Sequence, residues 1–513
     1  MTNPATLDRP SSANAARPAA IRIAEQDNVA VALRPLTSGE RIDVDGQSVV
    51  VRQDVLPGHK IALDALEPEQ IGIKYGIPIG VATAPIVVGD WVHSHNLRTS
   101  LSGLVDYAYS PVADARPARS RQMPTFQGYR RADGCVGTRN ELWVLNTVGC
   151  VNHAAERIAA QAAERYAGRI DGIHAFAHPY GCSQLGDDLK NTQRVLAGLL
   201  RHPNAGGVLI LGLGCENNQL SELMALAGTV DRDRVEFFNT QDVIDELEEG
   251  TGAVAKLIER IAGDRRTECP VSDLVLGHKC GGSDGFSGIS ANPLLGRIAD
   301  RLTSLGGSVL LTEVPEMFGA EQFLMNRAES EPVFRGIVAM VNDFKEYFLR
   351  HNQSIYENPS PGNKAGGLTT LEEKSLGAIQ KGGRAPVSRV LRYGDRVSGA
   401  GLALLESPGN DGVSSTAMVV SGATVLLFTT GRGTPLGFPV PTIKVSSNSE
   451  IAAKKPHWID FNAGALLDGT KNMAQLEDDL FATVIAVASG TQLANNEKNG
   501  YREIAIWKEG VTL

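Results

Sequence analysis

Residues 277–293 read GHKCGGSDGFSGISANP, and this stretch decides the fold. The apolar run Leu274-Val275-Leu276 leads into it and an amphipathic run, Leu294 to Leu305, leads out. That order predicts a strand, a glycine-rich loop and a helix. Gly281, Gly282, Gly285 and Gly288 let a ligand approach the main chain closely. Cys280, Ser283, Asp284, Ser287, Ser290 and Asn292 add polar groups. The free N–H groups and dipole at the start of the following helix suit an anion. Glycines alone would signal only a tight turn. A cysteine, an aspartate and several hydroxyls among them point to a site.

The same unit recurs on both sides. ELWVLNTVGC (141–150), GIHAFAHPYGCSQLGDD (172–188), GGVLILGLGCENNQ (206–219), RVEFFNTQ (234–241) and SVLLTEVPEMFGAEQ (308–322) each pass from an apolar run into a polar or glycine-rich loop. Repeated in this way, the unit predicts an α/β protein with parallel sheets, whose ligands bind at the carboxyl ends of the strands. Residues 126–265 form the first α/β part, 266–390 the second, and 391–513 a C-terminal α/β domain.

Residues 21–99 alternate apolar and polar positions between Pro and Gly turns, which predicts a small β domain. His59-Lys60 and His93-Ser94-His95-Asn96 are its chemical features. Positions i and i+2 of a strand share a face, so His93 and His95 could together hold a metal or a sugar acid. Residues 100–125, rich in Pro, Arg and Ser, read as a linker, and 1–20 as a disordered tail without the apolar core of a signal peptide.

A chain of 513 residues exceeds one core. The net charge of −9 and the lack of a long basic run argue against nucleic acid. No apolar stretch is long enough to span a membrane. The expected compartment is the cytoplasm, and a homo-oligomer is the default state for a metabolic enzyme there. Six cysteines without an export signal favour metal or catalytic roles over disulfides. Cys182, Cys215 and Cys280 each adjoin a glycine at a predicted strand end, and no CxxC suggests a zinc ribbon. Thiolates suit iron or an iron–sulfur cluster, where three ligands would leave one iron open. Apolar burial and nucleophilic thiol chemistry are the alternatives. Further polar loops surround Lys364, Asn410-Asp411, Arg432 and Lys444.

Several segments together resemble the altronate/galactarate dehydratases, bacterial sugar-acid lyases. These are HPYGCSQLGDD, GLGCENNQ, CGGSDGFSGISANP, TEVPEMFGAEQ, ENPSPGNKAGGLTTLE, PGND, FTTGRGTPLG and HWIDFNAG. The likeness spans roughly residues 21–513, and HSHN, PGND and HWIDFNAG bring it nearest the altronate branch. Asn146 stands where the family often has proline, with no evident chemical consequence. The resemblance implies an N-terminal β-clip (SAF-like) domain and an iron(II)-dependent dehydration, with manganese(II) as a substitute metal. It implies removal of water from D-altronate to give 2-dehydro-3-deoxy-D-gluconate in galacturonate breakdown, and it does not say which residues hold the iron.

Such chemistry needs a base for the C2 proton, an acid for the leaving hydroxyl and cations for the carboxylate. His59, His95, Glu216 and Asp284 are the expected proton-transfer groups. Lys60, Asn96, Ser283, Lys364, Asn410, Asp411, Arg432 and Lys444 are the expected substrate contacts. Cys182, Cys215, Cys280 and His93 are the expected metal ligands. A galactarate or other aldarate dehydratase is the nearest rival. A nicotinamide oxidoreductase is more distant, because no GxGxxG follows the first α/β strand. A non-catalytic sugar-acid sensor would not need so many candidate sites.

Overall fold

The computed structural model describes residues 18–114 and 123–512. Its central feature is a seven-stranded sheet in the order 387–391, 401–405, 308–311, 275–280, 425–430, 442–446, 461–462. Every neighbouring pair in it is parallel. The quoted stretch supplies the middle: strand Val275–Cys280, the glycine-rich loop, then helix Ala291–Ser304. Leu276, Val309 and Leu427 on three adjacent strands are fully buried. Each such side chain contributes on the order of 1.5–3 kcal/mol relative to exposure. The expected boundary between 390 and 391 falls inside strand Val387–Leu391, so 266–390 and 391–513 share one sheet.

A second parallel sheet, ordered 172–175, 141–146, 205–212, 235–239, belongs to the preceding region. Helix Gly186–Leu200 of this region packs on helix Asp411–Val420 of the C-terminal body, where Gly198 approaches Val420. The two sheets are thus joined through a helical layer.

The N-terminal domain is built of short antiparallel strands. Its first strand, Ala20–Ile21, pairs with Val31 and Ala32, so the expected tail ends earlier than residue 20, and residues 1–17 lie outside the described residues. The turn at Gly58 inserts into the C-terminal body. A Cβ on Gly285 would lie 1.9 Å from the Gly58 carbonyl oxygen, and one on Gly367 2.2 Å from it, so both positions require glycine. The segment after residue 100 runs along the same body. Tyr109 donates to the Ala328 carbonyl at 2.9 Å and the Val112 N–H to Asn326 at 2.9 Å. The rest of the expected linker, 115–122, lies outside the described residues.

Candidate active site

Four adjacent strands of the large sheet end at one cavity. Strand 275–280 delivers Lys279 and Cys280, strand 308–311 leads to Glu313 and Glu316, strand 401–405 to Asn410 and Asp411, and strand 425–430 to Arg432. This is where an open parallel sheet places its ligands. Glu313 has φ of 68°, unusual for a long side chain, and starts the short turn Val314–Glu316 that brings Glu316 inward. The cavity measures about 650 Å³, and Cys280, Glu316, Asn358, Lys374, Asp411 and Arg432 are among its lining groups.

Three buried lysines neutralise the acids. Lys279 bonds Glu313 closely and Asp411 at 2.8 Å. Lys381 donates to the Cys280 sulfur at 2.7 Å and to Glu313 at 2.8 Å. Lys374 donates to Glu316 at 2.8 Å, to Asn358 at 2.9 Å and to Asn363 at 3.3 Å. Burial alone would raise the Glu316 carboxyl, but Lys374, Lys279 and Lys381 together hold it at about 2. Burial, reinforced by Glu313, pushes the Cys280 thiol up to about 12. Cys280 is therefore a protonated thiol at neutral pH and a poor nucleophile. Alkylation of the metal-free protein at neutral pH is expected to label the exposed Cys150, Cys182 and Cys215 and to spare Cys280, as peptide mass mapping would read out. Fast labelling of Cys280 would contradict this electrostatic picture.

Cys280, Glu313 and Glu316 each place a donor atom within 4.8 Å of the others, a spacing compatible with one metal ion. Their charge environment is less favourable. Lys381 already sits on the sulfur and on Glu313, and Lys374 on Glu316. A dication would have to displace ammonium groups, since adding its charge to theirs in a buried site is costly.

Of the residues expected from sequence, Cys280, Asn410, Asp411 and Arg432 meet at this cavity. Glu316 and Lys374 also line it, and Lys279, Glu313 and Lys381 are buried behind Cys280. Glu313 and Glu316 follow a predicted strand, but nothing in the sequence singles out the lysines.

The other expectations are corrected by the geometry. His59 accepts from the Trp91 indole N–H at 3.1 Å, so its Nε2 carries the proton toward the Ala365 carbonyl at 3.3 Å. His93 bonds the Lys364 carbonyl through Nε2 at 2.9 Å and Ser94 through Nδ1 at 3.0 Å. Both rings are buried with both nitrogens engaged, and burial lowers the His93 imidazole to about 4. They clamp the N-terminal domain onto residues 364–365. Strand Trp91–Val92 ends before the histidines, so strand alternation fails there: His93 is buried and His95 exposed. Asn96 holds the turn, accepting from the His93 N–H at 2.9 Å. Lys60 is buried on Glu373 at 2.8 Å, far from solvent.

Asp284 is buried too. It accepts from Ser287, Ser447 and Asn448 at 2.8–3.0 Å and ties its own loop to the 447–448 loop. Ser283 is buried with its carbonyl on Asn363 Nδ2 at 2.8 Å. Lys364 and Lys444 lie outside the cavity lining. The Lys444 backbone N–H bonds Asp460 at 2.8 Å, and burial lowers its ammonium to about 8. Cys182 and Cys215 are exposed on the second sheet and do not join Cys280. Glu216 binds the Leu213 and Gly214 N–H groups at 3.0 and 2.6 Å and the Thr147 hydroxyl, which makes it a loop staple.

A buried cluster of acids and lysines opening on a cavity lined by Lys374 and Arg432 as well as Glu316, Glu357 and Asp411 suits proton transfer on a small polar ligand. Comparison with known proteins gives the family. Residues 18–100 match the altronate/galactarate dehydratase SAF domain, 128–262 the second domain of D-galactarate dehydratase/altronate hydrolase, and 271–512 the D-galactarate/altronate dehydratase C-terminal domain. Altronate dehydratase of Bacillus subtilis (strain 168) is 51% identical over 496 residues, covering 96% of this chain and 99% of the relative. Altronate dehydratase of Escherichia coli (strain K12) is 52% identical, with 96% and 99% covered. Galactarate dehydratase (L-threo-forming) of Escherichia coli (strain K12) is 32% identical, with 95% and 96% covered. The chain belongs to the altronate/galactarate dehydratase family of hydro-lyases.

Proposed function

We propose that this protein dehydrates D-altronate to 2-dehydro-3-deoxy-D-gluconate. The observation that carries the reading is the 51–52% identity to altronate dehydratases across nearly the whole chain, against 32% to the galactarate enzyme. The cavity supports it chemically. Arg432 is exposed at the lining and suits a substrate carboxylate. Helix Asp411–Val420 begins beside it and adds backbone N–H groups.

In this reading Glu316 takes the C2 proton and Lys374 gives a proton to the departing C3 hydroxyl. The Lys374–Glu316 pair keeps Glu316 a weak base in the free enzyme. When Lys374 turns to the substrate hydroxyl, Glu316 loses its nearest cation and becomes more basic. Lys279 and Lys381 stay on Glu313 and supply fixed positive charge beneath the developing enediolate. Iron(II) is the Lewis acid that the resemblance implies, and Cys280, Glu313 and Glu316 would hold it only if Lys381 and Lys374 left them.

Product analysis with D-altronate and galactarate side by side tests the assignment. Preferential conversion of D-altronate is expected, and a clear preference for galactarate would overturn it. Arg432→Gln is expected to raise KM for D-altronate by roughly 10–100-fold with a smaller change in kcat, the loss of one charged hydrogen-bonding partner. Steady-state kinetics read this directly.

No helix among the described residues is long and apolar enough to cross a membrane.

A further inference from the structure

The charged side chains lining the cavity are Lys374 and Arg432 against Glu316, Glu357 and Asp411. Three of them are engaged within the protein. Lys374 holds Glu316 at 2.8 Å, and Lys279 holds Asp411 at 2.8 Å. Arg432 and Glu357 are exposed, and neither side chain has a hydrogen-bond or ion-pair partner among the described residues. The lining therefore offers a ligand a free cation and a free carboxylate.

The two arrive from different elements. Arg432 follows strand Val425–Thr430. Across the sheet, strand Val275–Cys280 comes next, and then strand Ser308–Leu311, which leads to Glu316. Asn358 accepts from Lys374 at 2.9 Å and lies 3.5 Å from Glu316. Glu357 precedes it in the loop that follows helix Glu331–Arg350. In this order the Lys374–Glu316 pair stands between the two free charges. Phe344, Phe348 and Ile355, on the helix and loop leading to Glu357, line the same cavity and offer a carboxylate no hydrogen bond. Placing a carboxylate against such a wall without a partner is costly.

We propose that Glu357 makes the cavity selective for sugar acids with a single carboxylate. With that carboxylate on Arg432, the far end of the sugar chain reaches Glu357. A terminal hydroxyl there donates a hydrogen bond to the Glu357 carboxylate. A second carboxylate meets like charge and the apolar wall instead, and no free cation of the lining remains to receive it. The inference rests on the dehydratase reading for the end of the substrate that Arg432 holds.

Calorimetric titration of the full chain with D-galactonate and galactarate tests this, because the two acids differ only at C6, an alcohol in one and a carboxylate in the other. D-galactonate should bind about 3–10-fold tighter, the size of one like-charge contact at an exposed site. Added salt should narrow the gap. Glu357→Gln removes the charge and keeps an acceptor, so galactarate should tighten by about 3–10-fold while D-galactonate changes little. Glu357→Lys should make galactarate the tighter ligand. Glu357 is exposed and unpaired, so neither change threatens the fold. Equal binding of the two acids by the unaltered chain would overturn the proposal, as would a gap that persists in both variants, or no binding of either acid. Turnover of D-altronate is followed on the same protein. Turnover with an unmoved gap removes Glu357 from specificity and leaves the dehydratase reading intact. The expected binding pattern without turnover does the reverse.

Discussion

Lys374→Met is expected to lower kcat for D-altronate by about 10²–10⁴-fold, the range of a lost general acid. Lys374 is buried, lines the cavity, and is the nearest cation to Glu316 at 2.8 Å. Methionine keeps the length and removes both the proton and the charge. KM should change less, because Arg432 and the helix at Asp411 remain to hold the carboxylate. The pH profile separates a chemical role from a packing role. Glu316 is held at about 2 chiefly by Lys374, against burial. Without Lys374 its carboxyl should titrate closer to its ordinary value, and the acid limb of kcat/KM should move to higher pH. Steady-state kinetics across pH provide the check. A kcat within one order of magnitude of the unaltered enzyme would remove Lys374 from the chemistry.

The sheet around this lysine was readable from sequence because its signal is local. An apolar run, glycines and an amphipathic run lie within one short stretch, and they became strand Val275–Cys280, a loop and helix Ala291–Ser304. The rule that ligands sit at strand ends points to Cys280, Asn410, Asp411 and Arg432, and these four line one cavity. Asp284 shows the limit. It reads as an exposed loop acid, yet Ser447 and Asn448, more than 160 positions away, bury it and saturate its oxygens. The histidines mislead for a similar reason. Their partners are the carbonyls of Lys364 and Ala365, and a backbone carbonyl leaves no mark in sequence. Lysines 279, 374 and 381 lie in segments spread over about a hundred residues, and folding alone brings them to one acid cluster. The three exposed cysteines fall between these cases. Each strand end is legible, but only the order of strands shows that Cys150, Cys182 and Cys215 follow three neighbouring strands of one sheet while Cys280 ends a strand of the other.

Glu373→Ala is expected to loosen the N-terminal domain from the catalytic body. Glu373 is fully buried and takes two ammonium groups from that domain, Lys60 and Lys74, each at 2.8 Å. Thr369 and the Gly367 carbonyl complete the shell of Lys60 at 2.7 and 2.9 Å. One carboxylate cannot fully neutralise two buried cations. Burial accordingly lowers Lys60 to about 8, whereas Lys74, despite burial, is held above its ordinary value by Glu373. Removing the carboxylate leaves both cations unpaired, a loss of about 3–5 kcal/mol. The first thermal transition should fall, and limited proteolysis should release fragments cut near residue 100. Lys74→Met in the same chain should recover part of the loss, since one buried charge is then gone. The pH dependence has a defined sign. Burial would raise the Glu373 carboxyl, but Lys60 and Lys74 hold it at about 2, below its ordinary 4.5. Its contribution is therefore complete above about 4.5 and is lost as pH falls toward 2. Lys60 acts at the other end. Its ammonium is depressed from 10.5 to about 8, so stability from this group rises with pH across that interval. Unchanged melting and unchanged proteolysis in Glu373→Ala would show that the domains are held instead by the close backbone packing of Gly58 on Gly285 and Gly367.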